Sequence, residues 1–364
     1  MENNLPPHGG GVFRRAAENG IEIDQIIDFS ANINPLGLPP GVKEELYDSL
    51  DYLAHYPEID AATLQRQLAG RHRLAAENIL VGNGSTALIY LLARILKPHR
   101  ALLLIPTFTE YERALRLVGC RIDYLAYWRA GRLLPGDEIK AAVDNINPEM
   151  VFVCNPGNPT GSLLAPHCLL NLIRGRERAG TVWVLDEAFI DFTEPGNSLI
   201  RQVTKSANLL ILRSLTKIYA LAGLRCGYLA GSCELVARLR CAQEPWSLNY
   251  PVIRAAVTAL ANDREFLEMT RTLIGRERSY LFDELVKFFW LEPFPSRANY
   301  LLCRLHKGVE SRLLADYLFA REAILIRRCG DYPGLGDDFI RFAVRRPEDN
   351  RRLITCLKQF NADL

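Results

Sequence analysis

The sequence predicts an α/β protein: a mostly parallel sheet covered on both faces, followed by a smaller α+β unit. Two patterns carry this expectation. Short apolar, β-branched runs recur through the middle of the chain, and stretches of helical periodicity separate most of them. After about residue 262 the pattern changes to a long charged helix with a few further strands. In order, residues 1–40 are rich in Gly, Pro and Asn and read as an irregular arm. A helix is expected near Thr86–Leu96, then strands at Ala101–Ile105, Arg121–Ala126, Val151–Cys154, Thr181–Leu185, Leu209–Leu212 and Cys226–Leu229. Beyond these come a helix over Arg264–Trp290 and strands at Tyr300–Arg304, Ala323–Arg327 and Phe339–Val344. The chain therefore divides into an arm, 1–40, that joins the small domain, a large domain, 41–261, and a small C-terminal domain, 262–364.

Composition narrows the function. With 364 residues, 49% hydrophobic and 24% charged, a sizeable core is available. Lys and Arg number 44 against 42 Asp and Glu, so neither nucleic acid nor a membrane surface is expected as partner. Apolar runs such as Ala87–Leu96 are broken by charge and too short to span a bilayer, and Met1–Pro7 does not read as a signal peptide. Nine cysteines, an odd number without a CxxC pair, read as buried thiols in a reducing cytoplasm. The six histidines show no paired spacing, so no metal site is expected.

The chemistry concentrates where predicted strands end, which is where open α/β sheets bind ligands. Lys217 closes the turn Ser214-Leu-Thr-Lys217 after an apolar strand, and Arg225 follows eight positions later. That is an amine suited to a Schiff base, with hydroxyls and a planar guanidinium suited to phosphate. Asn155–Gly161, with two prolines and two glycines, forms an irregular turn able to aim the Asn158 amide. Asp186 ends a buried strand, where a carboxylate is costly unless paired; a protonated pyridine nitrogen would pair it. Gly82-Asn-Gly-Ser-Thr86 opens a helix and offers backbone N–H groups to a phosphate. Phe108, just past another strand, can stack on a ring. Each has a bland alternative: a solvated lysine, a structural loop, a paired carboxylate, a simple helix cap, a core aromatic.

Jointly, Gly84-Ser85-Thr86, Phe108, Asn158, Asp186, Ser214/Thr216/Lys217 and Arg225 resemble the aminotransferase family of fold-type I pyridoxal phosphate (PLP) enzymes. The resemblance runs through nearly the whole chain and implies a large domain with a mostly parallel mixed sheet. It implies that Lys217 carries the cofactor covalently, Asp186 pairs the pyridine nitrogen, Asn158 meets the phenolic oxygen and Phe108 stacks on the ring. Gly84, Ser85, Thr86, Ser214, Thr216 and Arg225 would hold the phosphate, with Tyr56 reaching it from the partner subunit of a homodimer. Within the family, His8-Gly-Gly10, Asp28–Gly37, Asp186–Phe192, Arg297–Leu302 and Ile324–Leu335 are similar to subfamilies that take phosphorylated amines. Their substrate contacts would fall on His8, Gly9, Asn32, Asn158, Arg327 and Arg341. The implied reaction is decarboxylation of L-threonine O-3-phosphate to (R)-1-amino-2-propanol O-2-phosphate and carbon dioxide, in cobalamin biosynthesis. Histidinol-phosphate transamination with 2-oxoglutarate is the alternative, and a non-catalytic PLP-binding sensor a more distant one. Phe189 stands where many relatives carry tyrosine, so a phenol donor is missing there.

Overall fold

The computed structural model describes residues 8–261 and 263–363. Residues 1–7 of the arm, and with them the reading of Met1–Pro7, lie outside the described part.

Seven strands form the main sheet: β1 (Ile79–Asn83), β2 (Arg100–Ile105), β3 (Arg121–Ala126), β4 (Met150–Cys154), β5 (Val182–Asp186), β6 (Leu209–Ser214) and β7 (Cys226–Ala230). Their spatial order is β1-β7-β6-β5-β4-β2-β3. Strands β3, β2, β4, β5 and β6 run parallel, whereas β7 is antiparallel to both β6 and β1. β4 and β6 are buried at every position, as strands covered on both faces should be. Two apolar clusters share the sheet between them: Leu102, Val151, Leu185 and Ile211 face one, while Leu103, Phe152, Val184 and Leu212 face the other. This alternation follows from the two-residue period of a strand.

β8 (Leu291–Pro293), β9 (Tyr300–Leu305), β10 (Arg327–Arg328) and β11 (Phe339–Ala343) form a four-stranded antiparallel sheet in the order β8-β9-β11-β10. The arm is less irregular than its composition implies. Val12–Asn19 is helical and ends at Gly20, whose φ of 62° suits a residue without a side chain. Ile27–Asp28 pairs in parallel with Ile324–Leu325, and the Ala343 N–H donates to the Phe29 carbonyl. Residues 27–29 of the arm are thus hydrogen-bonded to the C-terminal part of the chain.

The expected strands match to within a residue or two, β1 and β8 are not among those expected, and two further expectations change. The long helix is Arg264–Leu285 and stops short of Trp290. Phe288 and Trp290 are buried, and continuing the helix would not serve both contacts: the Trp290 ring meets Phe288 and Phe360 and its N–H donates to Asn361. Tertiary packing overrides local propensity here. The expected strand Ala323–Arg327 divides into Ile324–Leu325 and β10, because one piece pairs with the arm and the other with β11.

Candidate active site

A cavity of about 390 Å³ opens at the carboxyl ends of β4, β5 and β6. It brings together His8, Gly9, Asn32, Ser85, Thr86, Phe108, Asn158, Asp186, Ser214, Thr216, Lys217, Arg225 and Arg341. Of the residues singled out in the sequence, three lie elsewhere. Gly84 sits directly behind: a Cβ there would come within 2.8 Å of Arg225 Nη2. Arg327 lines an adjoining cavity of about 420 Å³ that shares His8 and Ser30 with the first. Its Nη2 donates to both Asp331 oxygens at 2.7 and 2.6 Å. Tyr56 is 84% exposed, with its ring 5.0 Å from that of Trp246.

Local structure explains each position. β5 ends at Asp186, whose Oδ1 accepts from the Ala188 N–H at 2.9 Å and whose Oδ2 accepts from the Tyr111 hydroxyl at 2.5 Å. Despite these donors, burial holds the Asp186 carboxyl above the usual carboxylate range. A further cationic partner would relieve that cost. β6 delivers the Ser214–Lys217 turn, in which the Ser214 and Thr216 hydroxyls bond each other at 2.6 Å. Lys217 is pushed down to about 8, first by burial and then by the Arg225 and Arg341 guanidinium groups; Asp186 and Asp28 only partly offset them. A neutral, nucleophilic amine is therefore accessible near physiological pH.

The helix Gly84–Leu96 presents its first N–H groups at the cavity, with Ser85 and Thr86 in that first turn. Gly84 has φ 72°, and Arg225 holds a φ of 58°, a region costly for a residue with a side chain. Gly227 on β7 permits this crowding, since a Cβ there would lie 2.5 Å from the Ser85 nitrogen. Asn158 is fixed through its oxygen, which accepts from Arg341 Nη1 at 2.5 Å and Tyr332 Oη at 3.3 Å. Its NH2 is the end left to donate into the cavity. Arg341 Nη2 donates to the Ser30 carbonyl at 2.8 Å, tying the arm to this cluster.

Sequence reasoning missed Tyr111, Glu110, Ser30, Tyr332 and Gly227. Tyr111 and Glu110 fall in the motif that pointed to Phe108, so only their helical offsets could have hinted at them. Phe189 lines the cavity and stands edge-on to Tyr300 at 5.0 Å. The Tyr300 hydroxyl is committed to the Gly157 carbonyl at 2.6 Å, so it does not replace the donor absent at Phe189.

Residues 24–357 match the family model of aminotransferase class I and II. The chain belongs to that family. As a member of the class I and II aminotransferases it takes pyridoxal 5'-phosphate as cofactor. The residues present fit that group: an amine of lowered basicity, an under-compensated buried carboxylate, and a helix N-terminus with hydroxyls and a guanidinium beside it. Among relatives in this class, a threonine-phosphate decarboxylase of Salmonella typhimurium is 39% identical over 96% of this chain and 95% of its own length. An adenosylcobalamin biosynthesis bifunctional protein of Leptospira interrogans is 30% identical over 96% of this chain, which spans 40% of that longer protein. The solved histidinol-phosphate aminotransferase of Clostridium acetobutylicum superposes with a TM-score of 0.86 at 29% identity, covering 93% of this chain and 100% of that one.

Proposed function

We propose that the protein decarboxylates L-threonine O-3-phosphate to (R)-1-amino-2-propanol O-2-phosphate and carbon dioxide, serving cobalamin biosynthesis. The observation that carries this reading is the 39% identity to a threonine-phosphate decarboxylase across 96% of the chain. When bound, the cofactor supplies an aldehyde for an amine and a ring that accepts the electrons of a bond broken at Cα. Lys217 is the residue that carries it, and the Lys217 amine returns a proton to Cα. Asp186, oriented by Tyr111 and the Ala188 N–H, would pair the pyridine nitrogen and keep it protonated. Asn158 would donate to the phenolic oxygen, Phe108 would cover the ring, and Gly84, Ser85, Thr86, Ser214, Thr216 and Arg225 would hold the phosphate.

Arg341 binds the substrate carboxylate. Its guanidinium is immobilised by Asn158 and the Ser30 carbonyl, so orientation is set before the substrate arrives. By fixing the carboxylate, Arg341 would present the Cα–carboxylate bond rather than Cα–H to the electron-accepting ring, which would favour decarboxylation. His8, Gly9 and Asn32 complete the grip on the substrate, and Arg327, paired with Asp331 in the adjoining cavity, supports it from behind. Among the described residues the buried Asn32 carboxamide oxygen has no donor, consistent with a ligand partner.

The arm, 1–40, works with the small unit, 262–364, against the large unit, 41–261, a division supported by the pairing of Ile27–Asp28 with Ile324–Leu325. A second copy of the chain covers the exposed Tyr47, Leu50, Tyr52, Leu53, Tyr56 and Ile59, and its Tyr56 reaches the cofactor phosphate. The nine free cysteines support a reducing cytoplasm. Among the described residues no helix is long and apolar enough to cross a membrane.

The likeness to the Clostridium acetobutylicum structure favours histidinol-phosphate transamination as the second reading. The two separate cleanly. Threonine phosphate should release carbon dioxide into the headspace without any keto acid. No release, with histidinol phosphate and 2-oxoglutarate turning over instead, would reject the decarboxylase.

A further inference from the structure

A cavity meant for a doubly anionic substrate should not carry a spare carboxylate, yet Glu110 lines it and is buried. Its charge is engaged on every side. His8 Nε2 lies 3.0 Å from Oε1, the Tyr90 hydroxyl donates to Oε2 at 2.6 Å, and Arg113 Nη1 stands 3.7 Å from Oε1. A carboxylate only accepts, so Nε2 of His8 must carry the proton of that contact. Nδ1 is then the ring nitrogen left for a ligand, and it donates to a phosphate oxygen when the ring is an imidazolium paired with Glu110. The partners come from opposite ends of the design: Glu110 and Tyr90 sit on two helices of the large sheet domain, whereas His8 belongs to the arm.

Nearby contacts bring the arm down at the same point. Gly9 passes so close to the Ser30 carbonyl that a Cβ would sit 2.1 Å from its oxygen, and the Gly10 N–H donates to Ser30 Oγ at 2.8 Å. His8 is still 45% exposed in its side chain and touches Phe108 at 5.9 Å between ring centroids. Backbone contacts at Gly9 and Gly10 bring the arm to the cavity but leave the imidazole free to turn. Glu110 supplies the anchor that stops it.

We propose that Glu110 is a positioning and specificity residue: braced by Tyr90, it docks the arm and aims His8 at the substrate's phosphate. The proposal rests on the phosphorylated-substrate reading above, and its test is arranged so that the two can fail separately. Holoenzyme carrying Glu110→Ala, His8→Ala, both, or Glu110→Gln is assayed with L-threonine O-3-phosphate and with L-threonine. Glu110→Ala should raise KM for the phosphorylated substrate about tenfold, the scale of losing one aligned charged hydrogen bond, with kcat within twofold. The increase should vanish in the His8→Ala background, because the two residues act as a unit. Glu110→Gln, which keeps the shape and an acceptor, should recover most of the loss. Trypsin gives an independent readout: cleavage after Arg14 or Arg15 should accelerate in Glu110→Ala if the arm has lost its anchor. Additive effects of the two alanines, an unchanged KM, or a rise equal for threonine and its phosphate would overturn the role given to Glu110. Wild-type enzyme that fails to prefer the phosphate would instead overturn the substrate reading.

Discussion

Two buried charged clusters lie near the end of β6, and they differ in one respect. Arg213 donates to Glu187 at 3.0 Å and to Asp191 at 2.6 Å. Around it His72 and the Tyr228 hydroxyl are 2.7 Å apart, and Asp263 binds both Arg71 and the Tyr219 hydroxyl. Every charge there meets its opposite. One residue further on, the chain turns to Ser214–Lys217, where the lysine faces two guanidinium groups and Asp186 is met by a hydroxyl and a backbone N–H instead of a guanidinium. Buried charge by itself therefore marks nothing; charge left incomplete by the protein marks the chemistry.

Substitution should expose the difference. Lys217→Ala ought to lower turnover by on the order of a thousandfold or more while the protein stays folded. Borohydride would then fix no cofactor to the polypeptide; label retained on another residue would contradict the assignment. Arg213→Met should do the reverse. Stranding Glu187 and Asp191 costs about 3–5 kcal/mol in urea unfolding, with KM of the folded enzyme little changed. A large loss of activity at unaltered stability would erase the contrast between the clusters.

The smallest effect concerns acid. Burial and the Arg213 and Arg71 charges push His72 down to about 3 from 6.5. The unfolded chain therefore binds a proton below about 6.5 that the folded one refuses until about 3. His72 thus contributes a loss of stability as pH falls through that window and nothing above it. His72→Gln should make the acid limb of a Tm-against-pH curve shallower by up to one proton, leaving neutral pH nearly untouched. An unchanged slope would show that His72 does not titrate as described.

What could be read in the sequence was what neighbouring residues decide. Lys217, Asp186 and Asn158 each end or follow an apolar strand, so strand pattern alone put them at one edge. Glu110 and Tyr332 were invisible because their roles come from partners 102 and 174 positions away. Arg327 carries a charge that reads like an open grip, but Asp331 holds it in the adjoining cavity. The reversal of β7 left no composition signal either; its direction follows from the short turn after Lys217, not from its residues.

That short turn has a thermal corollary. Lys217 and Arg225 share a single connection between two adjacent strands, whereas Arg341, Arg327 and the arm are tethered through the other sheet. Warming that loosens the C-terminal layer should blur discrimination among amino acids well before pyridoxal phosphate is released, so selectivity and loading would melt as separate events.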